Sequence, residues 1–290
     1  MSADVALVAI DLDGTLLSSS GEIPEANRRA VSKCLELGVA VAIATGRRFP
    51  AAERFARALS GDIFVVANSG AIIKDSVDGS IIRRRLLPRR TAAAVIEIAD
   101  TFGIEPVVHD GPQAEGNLLL RETAIGLPHL ERYLHRTHPP PSVVPALRLA
   151  RDPVQIGFAA GVTTSRAFVE ALGPELDRRG MAASLMRTEY PREDLTLTDV
   201  LATAATKSSA LTFLADHLGV PITQTLAIGD NWNDVDMLET AGRGVLMANA
   251  SEELQARGFT PTESNDDDGV ARALERHVLS GSRLRARTKK

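Results

Sequence analysis

The chain has 290 residues and a formal net charge of −4, a length that supports two domains, or one large one, around a substantial core. The mildly acidic balance excludes the basic stripe of a nucleic-acid surface. No apolar stretch approaches the roughly 20 residues needed to span a bilayer.

Val5 to Ile10 is an apolar run that stops at Asp11-Leu12-Asp13-Gly14, and the chain enters it without a secretory signal pattern. A helix is expected from Pro24 to Leu37, opened by proline and followed by Gly38. The one cysteine, Cys34, falls inside that helix and reads as core; it allows no internal disulfide, so a reducing, cytoplasmic setting is expected. A strand over Val39–Ala44, a helix over Pro50–Leu59 and a strand over Ile63–Val66 complete a βαβαβ start. The character then changes. Arg83–Arg90 is basic, helices fall near Thr91–Phe102 and Thr163–Arg179, the strands shorten, and Pro139-Pro140-Pro141 reads as a stiff connector. Alternation returns with a helix over Thr206–Leu218 closed by Gly219, a strand Thr225–Ile228, a helix Val235–Ala241 and a strand Gly244–Met247. The pattern predicts an α/β fold: a doubly wound parallel-sheet core from 1–85 and 189–280, an inserted α/β domain over 86–188, and an unstructured basic tail at 281–290.

Ligands of such sheets sit at the carboxyl ends of the strands. Period-two alternation is expected to carry Asp11 and Asp13 to the same crevice, where two neighbouring carboxylates call for a cation, Mg2+ first. Taken alone, Asp-x-Asp-Gly serves a turn equally well. A second buried strand ends in Gly229-Asp230-Asn231-Trp232-Asn233-Asp234, and parallel topology lets Asp230 and Asp234 converge with the first pair. A third ends at Thr45-Gly46-Arg47, which offers a hydroxyl, bare N–H groups and a guanidinium suited to phosphate oxygens. Lys207 opens a helix and adds a cation that can neutralise a phosphoryl group. Together these residues form a phosphoryl-transfer set. Asp11 is expected to attack phosphorus, and Asp13 to protonate the leaving oxygen and then deprotonate the hydrolytic water; Thr45 and Lys207 balance charge.

These motifs resemble those of the haloacid dehalogenase superfamily of phosphatases, in its Cof-type branch with a large inserted cap, over nearly the whole chain. Asp11-Leu12-Asp13-Gly14-Thr15-Leu16, Ala44-Thr45-Gly46-Arg47, Lys207 and Gly229–Asp234 are similar to its four motifs. Asn68–Ala71, Met247–Ala250 and Ser264–Val270 also resemble segments of that branch. The chain differs in having Ser208-Ser209 after Lys207, where glycine is common, and Ala248 where glycine is usual. The resemblance implies Mg2+ held by the carboxylates of Asp11 and Asp230 and the backbone carbonyl of Asp13, with Asp234 supporting the site. It also implies phosphoryl contacts from Thr45 and Lys207; Gly46, Arg47 and Asn233 are the remaining substrate-binding candidates.

The expected function is a Mg2+-dependent phosphatase of small phosphorylated metabolites, sugar phosphates or similar, acting as a monomer or homodimer without nucleic-acid or membrane partners. By the resemblance a cap covers the active site and selects the leaving group; His109, Asp110, Arg121, Glu122 and Arg187 are candidates there. Two alternatives stay open. One is a phosphomutase or dedicated sugar-phosphate phosphatase of the same kind. The other is a non-catalytic phosphoacceptor or metabolite-binding protein, which has no need of Asp13 or of a long insertion.

Overall fold

The computed structural model describes residues 5–59, 61–111, 113, 116–134, 140–190 and 193–280. The expected tail over 281–290, and Pro139 of the proline run, lie outside them.

The chain opens with β1 (Leu7–Asp11), α1 (Glu25–Glu36), β2 (Ala40–Ala44), α2 (Phe49–Ala58) and β3 (Ile63–Ala67). β1 is buried at every position, as suits an unalternating apolar run covered on both faces. Pro24 precedes α1 and Gly38 follows it at φ +78°, a left-handed turn that glycine adopts without penalty. Cys34 is buried on that helix, and burial pushes its thiol up to about 12, which leaves it an inert core residue. Next come β4 (Ile72–Asp75), β5 (Ile81–Arg84), α3 (Arg89–Thr101), β6 (Pro106–His109), β7 (Leu118–Arg121), α4 (Pro128–Leu134) and β8 (Ser142–Val144). They are followed by β9 (Gln155–Ala160), α5 (Val162–Arg178), β10 (Ser184–Tyr190) and β11 (Leu195–Leu201). α6 (Lys207–His217), β12 (Thr225–Gly229), α7 (Val235–Thr240), β13 (Arg243–Leu246), α8 (Glu252–Gln255), β14 (Thr260–Pro261) and α9 (Gly269–Leu274) complete the order.

The strands form two sheets. The first has eight strands in the order β14-β13-β12-β1-β2-β3-β4-β5, parallel from β14 to β3, with β4 antiparallel to β3. The second has six in the order β10-β11-β9-β6-β7-β8, antiparallel apart from the β7–β8 pair. Two compact units correspond to them: one runs to Arg47 and contains Ala52–Ile82 and the chain from Thr206, and the other contains Arg48–Ala51 and Arg83–Ala205.

This division corrects the boundary read from the sequence, which put residues 189 onward in the first unit. β10 ends at Tyr190 and β11 begins at Leu195, and so short a link closes only an antiparallel pair, because a parallel crossover needs a dozen residues or more. β11 pairs with β10 from Leu195↔Tyr190 to Leu201↔Ser184, so it belongs to the second sheet.

In the first unit Leu7 and Ala9 of β1 pack with Ala42, Ala44 and Val66 beneath Leu211 and Leu214 of α6 and Met237 and Leu238 of α7. Asp11 keeps the face of Leu7 and Ala9, two and four residues along, and is therefore aimed at the layer that α6 and α7 form. In the second unit one face of the sheet packs Val108, Ile156, Phe158 and Val200 against Val95 and Ile98 of α3 and Phe168 and Leu172 of α5. Its other face packs Val107, Leu118, Ala159 and Leu195 against Leu130 of α4.

Candidate active site

Three parallel strands deliver the first unit's functional side chains to one edge: β1 ends at Asp11, β2 leads into Thr45, and β12 leads into Asp230. The register runs Ile10↔Ile228 and Asp11↔Ala44, so the three strand ends are level.

Lys207, the first residue of α6, reaches the centre of this edge. Thr206 caps the helix: its side chain accepts the Ser209 N–H at 3.1 Å, while Ser209 Oγ accepts the Thr206 N–H at 3.4 Å. Ser209, one of the two serines after Lys207 that depart from the family pattern, thus completes a capping box. Lys207 Nζ donates to Asp11 Oδ1 and to Asp234 Oδ1, both at 2.5 Å, with the lysine side chain fully buried. A cation in a helix's first turn opposes the helix dipole, and the two carboxylates offset that cost. Burial works against the ammonium, yet Asp11 and Asp234 outweigh it and hold Lys207 above the ordinary lysine value.

Asp234 is used completely. Its Oδ1 accepts from Lys207, and its Oδ2 accepts the backbone N–H groups of Asp230 and Asn231 at 3.1 Å each. It therefore shapes the loop that presents Asp230. Asp230 Oδ1 accepts the Thr15 hydroxyl at 2.8 Å. Burial, with Asp234 and Asp13 adding repulsion, raises Asp230 to about 6 against the Thr15 hydrogen bond and Lys207. Asp11 is raised well above the usual carboxylate range, by burial first and by Asp234 and Asp230 as well, with Lys207 opposing.

Carboxylate oxygens of Asp11, Asp230 and Asp234 lie within 4.8 Å of one another. Three carboxylates facing one ammonium leave two uncompensated negative charges, and the donors are hard oxygens; this set fits a divalent Mg2+. Asn233 Oδ1 adds a buried acceptor with no partner among the described residues.

Asp13 does not join this cluster. Strand geometry stops at Asp11: Leu12–Leu16 turn away, with Gly14 at φ +81°, so period-two alternation does not extend to Asp13. Its carboxylate instead pairs in bidentate fashion with Arg47, Nε–Oδ2 at 2.8 Å and Nη2–Oδ1 at 2.5 Å, at a partly exposed position. The Arg47 guanidinium also lies 5.2 Å from the Phe55 ring centre. Gly14 is required twice, by its positive φ and because a Cβ there would run into the Asp230 carboxylate.

Thr45 is fully enclosed. Its N–H donates to Val66 O at 2.9 Å, its carbonyl accepts from Ser69 N at 3.0 Å, and its Oγ1 accepts the Arg47 N–H at 3.1 Å. The hydroxyl proton is left for another acceptor. Gly46 lies between these latched residues, and a Cβ there would make an ordinary 3.5 Å contact with Ser69 Oγ.

A family model described as haloacid dehalogenase-like hydrolase matches residues 8–140 and 161–274. The chain belongs to this family of hydrolases. Phosphatase YwpJ of Bacillus subtilis is 30% identical over 296 residues, covering 94% of this chain and 99% of that protein. The 5-amino-6-(5-phospho-D-ribitylamino)uracil phosphatase YcsE of the same organism is 26% identical over 283 residues, covering 95% and 97%. Among solved structures, a haloalkanoate-superfamily phosphatase from Bacteroides thetaiotaomicron superposes with a TM-score of 0.77 at 26% identity, covering 94% of this chain and 95% of that one. The chain is accordingly an enzyme, a hydrolase, and the relatives described above are phosphatases.

In this hydrolase several positioning residues escaped assignment from sequence. Asn249 Nδ2 donates to Gly14 O at 2.8 Å, Asn265 Nδ2 to Leu17 O at 2.9 Å, and Asn265 N to Asn249 Oδ1 at 3.0 Å. Together with Thr15 they clamp the loop after β1. All lie in segments whose family resemblance was visible, but only the contacts reveal what they do.

In the second unit, the candidates separate. Arg121 is engaged by Glu105 at 2.8 Å and by Asp100, Asp110 by Arg151 at 2.8 Å, and Arg187 lies 3.5 Å from Glu189. Glu122 is exposed at the start of a short turn. His109 alone of the five is buried, at hydrogen-bonding distance from Tyr133. No helix among the described residues is long and apolar enough to cross a membrane.

Proposed function

We propose that the chain is a Mg2+-dependent phosphatase of small phosphorylated metabolites that works through an aspartyl-phosphate on Asp11. The observation that carries this reading is the pairing of Lys207 with both Asp11 and Asp234 beside Asp230, which leaves a buried carboxylate oriented by a cation at the edge of a parallel sheet. Asp11 and Asp230 would hold Mg2+ with the Asp13 carbonyl, and the ion would draw charge off the phosphoryl oxygens.

In the first step, Asp11 forms a bond to phosphorus while the bond to the leaving alcohol breaks, and Asp13 gives that alcohol its proton. In the second, Asp13 takes a proton from water, the water oxygen bonds phosphorus, and the Asp11–phosphorus bond breaks to release phosphate. The bidentate Arg47 pair suits the ionised Asp13 that takes the proton in the second step; in the first step Asp13 carries the proton and cannot keep both contacts. Lys207 and the Thr45 hydroxyl receive phosphoryl oxygens, and Gly46 and Asn233 border the same strand edge. Selection of the leaving group falls to the inserted unit, as the family resemblance implies. Named relatives act on phosphorylated metabolites of different kinds, in keeping with a core that recognises phosphate and an insertion that recognises the rest.

Phosphate release from p-nitrophenyl phosphate and a panel of phosphorylated metabolites tests the reading. Turnover is expected with Mg2+, lost with EDTA and restored by Mg2+ in excess. A rate indifferent to EDTA, or no hydrolysis of any phosphomonoester, would overturn it.

A further inference from the structure

The turn between β3 and β4 holds a conformation that its serine does not favour. Asn68, Ser69 and Gly70 follow one another at φ +48°, +54° and +105°. Asparagine tolerates the left-handed region and glycine adopts it freely, whereas serine meets a steric cost there. Conformation alone favours glycine at position 69, so the fold does not account for the hydroxyl.

The turn is fixed on both sides. Asn68 N donates to Arg47 O at 2.9 Å and Ser69 N to Thr45 O at 3.0 Å, which ties it to the end of β2. Gly70 lies against the cap of α6, where a Cβ would run into the carbonyl of Thr206, one residue before Lys207. Ser69 is thus flanked by the segments that carry Thr45 and Lys207. Its Oγ lies on the Gly46 side, 3.5 Å from where a Cβ of Gly46 would stand. Asp11, Thr45 and Ser69 sit at the same depth of this strand edge, with 5%, 1% and 4% of their surface exposed. The Ser69 hydroxyl has no hydrogen-bond partner among the described residues, and unlike Asn233 Oδ1 it is not sealed from solvent.

A phosphoryl group at this edge calls for more donors than Thr45 and Lys207 supply. An ammonium has three N–H groups, and Lys207 commits two of them to Asp11 and Asp234. One N–H and the Thr45 proton remain for the three equatorial oxygens that carry the charge. We propose that the Ser69 hydroxyl is a further phosphoryl contact, donating to an oxygen of the group that Thr45 and Lys207 receive. The assignment rests on the phosphatase reading above and adds a donor to its binding site. The left-handed turn is then what holds that hydroxyl at the edge, through the Thr45 bond on one side and the close approach of Gly70 on the other.

Two variants separate the hydroxyl from the turn. Ser69→Gly removes the hydroxyl together with the steric cost, and Ser69→Ala removes the hydroxyl alone. Inorganic phosphate is titrated by calorimetry into the full chain with Mg2+, and kcat/KM is measured on p-nitrophenyl phosphate. Both variants are expected to lose about tenfold in phosphate affinity and a similar factor in kcat/KM, the effect of one hydrogen bond to a charged group. Mg2+ affinity without phosphate should match the wild type, and the thermal midpoint of Ser69→Gly should be no lower. Unchanged phosphate affinity in either variant, a matching loss of Mg2+ affinity, or a lowered Ser69→Gly midpoint would overturn the contact and leave the phosphatase reading in place. A wild type that hydrolyses no phosphomonoester fails that reading instead. Phosphate affinity then still decides Ser69: equal loss in the two variants supports the contact, and a wild type that binds no phosphate rejects it.

Discussion

The two sheets handle polar chemistry in opposite ways. The first is parallel from β14 to β3, so every one of those strands ends at the same edge and donors from β1, β2 and β12 accumulate there. The second is mainly antiparallel, so strand ends alternate between edges, and its polar residues meet in mid-sheet, on one face, over a glycine. Parallel topology concentrates charge and compensates it in part: Lys207 serves Asp11 and Asp234 and Arg47 serves Asp13, while Asp230 has the neutral Thr15 hydroxyl. In the antiparallel cluster Asp199 accepts from the neutral Gln155 amide.

The sharpest way to break this contrast is Asp11→Asn, which keeps shape and removes the nucleophile. Turnover of p-nitrophenyl phosphate should fall by at least about a thousandfold while circular dichroism is unchanged. Substantial remaining turnover would move the nucleophile elsewhere. Lys207→Met probes the compensation itself. It leaves two buried carboxylates facing each other, and chemical unfolding should report a loss of about 3–5 kcal/mol, the cost typical of breaking a buried ion pair. A variant as stable as wild type would show that the ion network carries no such energy.

Thr15→Val removes the hydroxyl that orients Asp230, and Mg2+ affinity measured by calorimetry should weaken by about 10–100-fold. Unchanged affinity would remove Asp230 from the ion's ligands.

In the second sheet the comparison can be sharpened through pH. Burial raises Asp199 from 3.8 to about 7, so its contribution to stability falls as pH rises through that interval. His109, lowered from 6.5 to about 3, has the opposite sign, and its contribution grows over its interval. Between these limits the two slopes oppose each other, each up to about 1.4 kcal/mol per pH unit, in a cluster that also contains Tyr133, Gln155 and the nearby Arg48. Urea unfolding of Asp199→Asn should therefore show stability rising with pH toward 6.5, and His109→Gln should show it falling. Identical pH profiles for the wild type and both variants would contradict the burial of these groups. The smallest stability effect belongs to Arg47→Met. Its pair with Asp13 is partly exposed, so unfolding should change by less than about 1 kcal/mol while turnover falls through the misplaced Asp13.

The contrast also explains what could be read from sequence. The helix read as Pro24–Leu37 is Glu25–Glu36, and the strand read as Thr225–Ile228 is Thr225–Gly229, because proline, glycine and unalternating apolar runs are local signals. The placement of Asp11, Thr45 and Asp230 was legible for the same reason: each ends or directly follows a buried strand, and parallel order brings the strand ends together. The side-chain direction of Asp13 was not legible, because it depends on a turn and not on alternation. The end of the insertion was misread because Leu195–Leu201 suits either sheet as a string of residues, and only the short link from Tyr190 decides its partner. Asn249, Asn265 and the convergence over Gly157 depend on contacts far apart in the chain and leave no periodic trace.

The most direct measurement is mass spectrometry of acid-quenched Asp13→Asn protein after exposure to p-nitrophenyl phosphate and Mg2+, a variant expected to form the covalent species faster than it clears it. A single phosphoryl group on the peptide containing Asp11, absent when Asp11 is also changed to Asn, is the predicted result. A phosphoryl group on any other residue, or phosphate release in rapid-quench experiments with no covalent species at any time, would contradict the account.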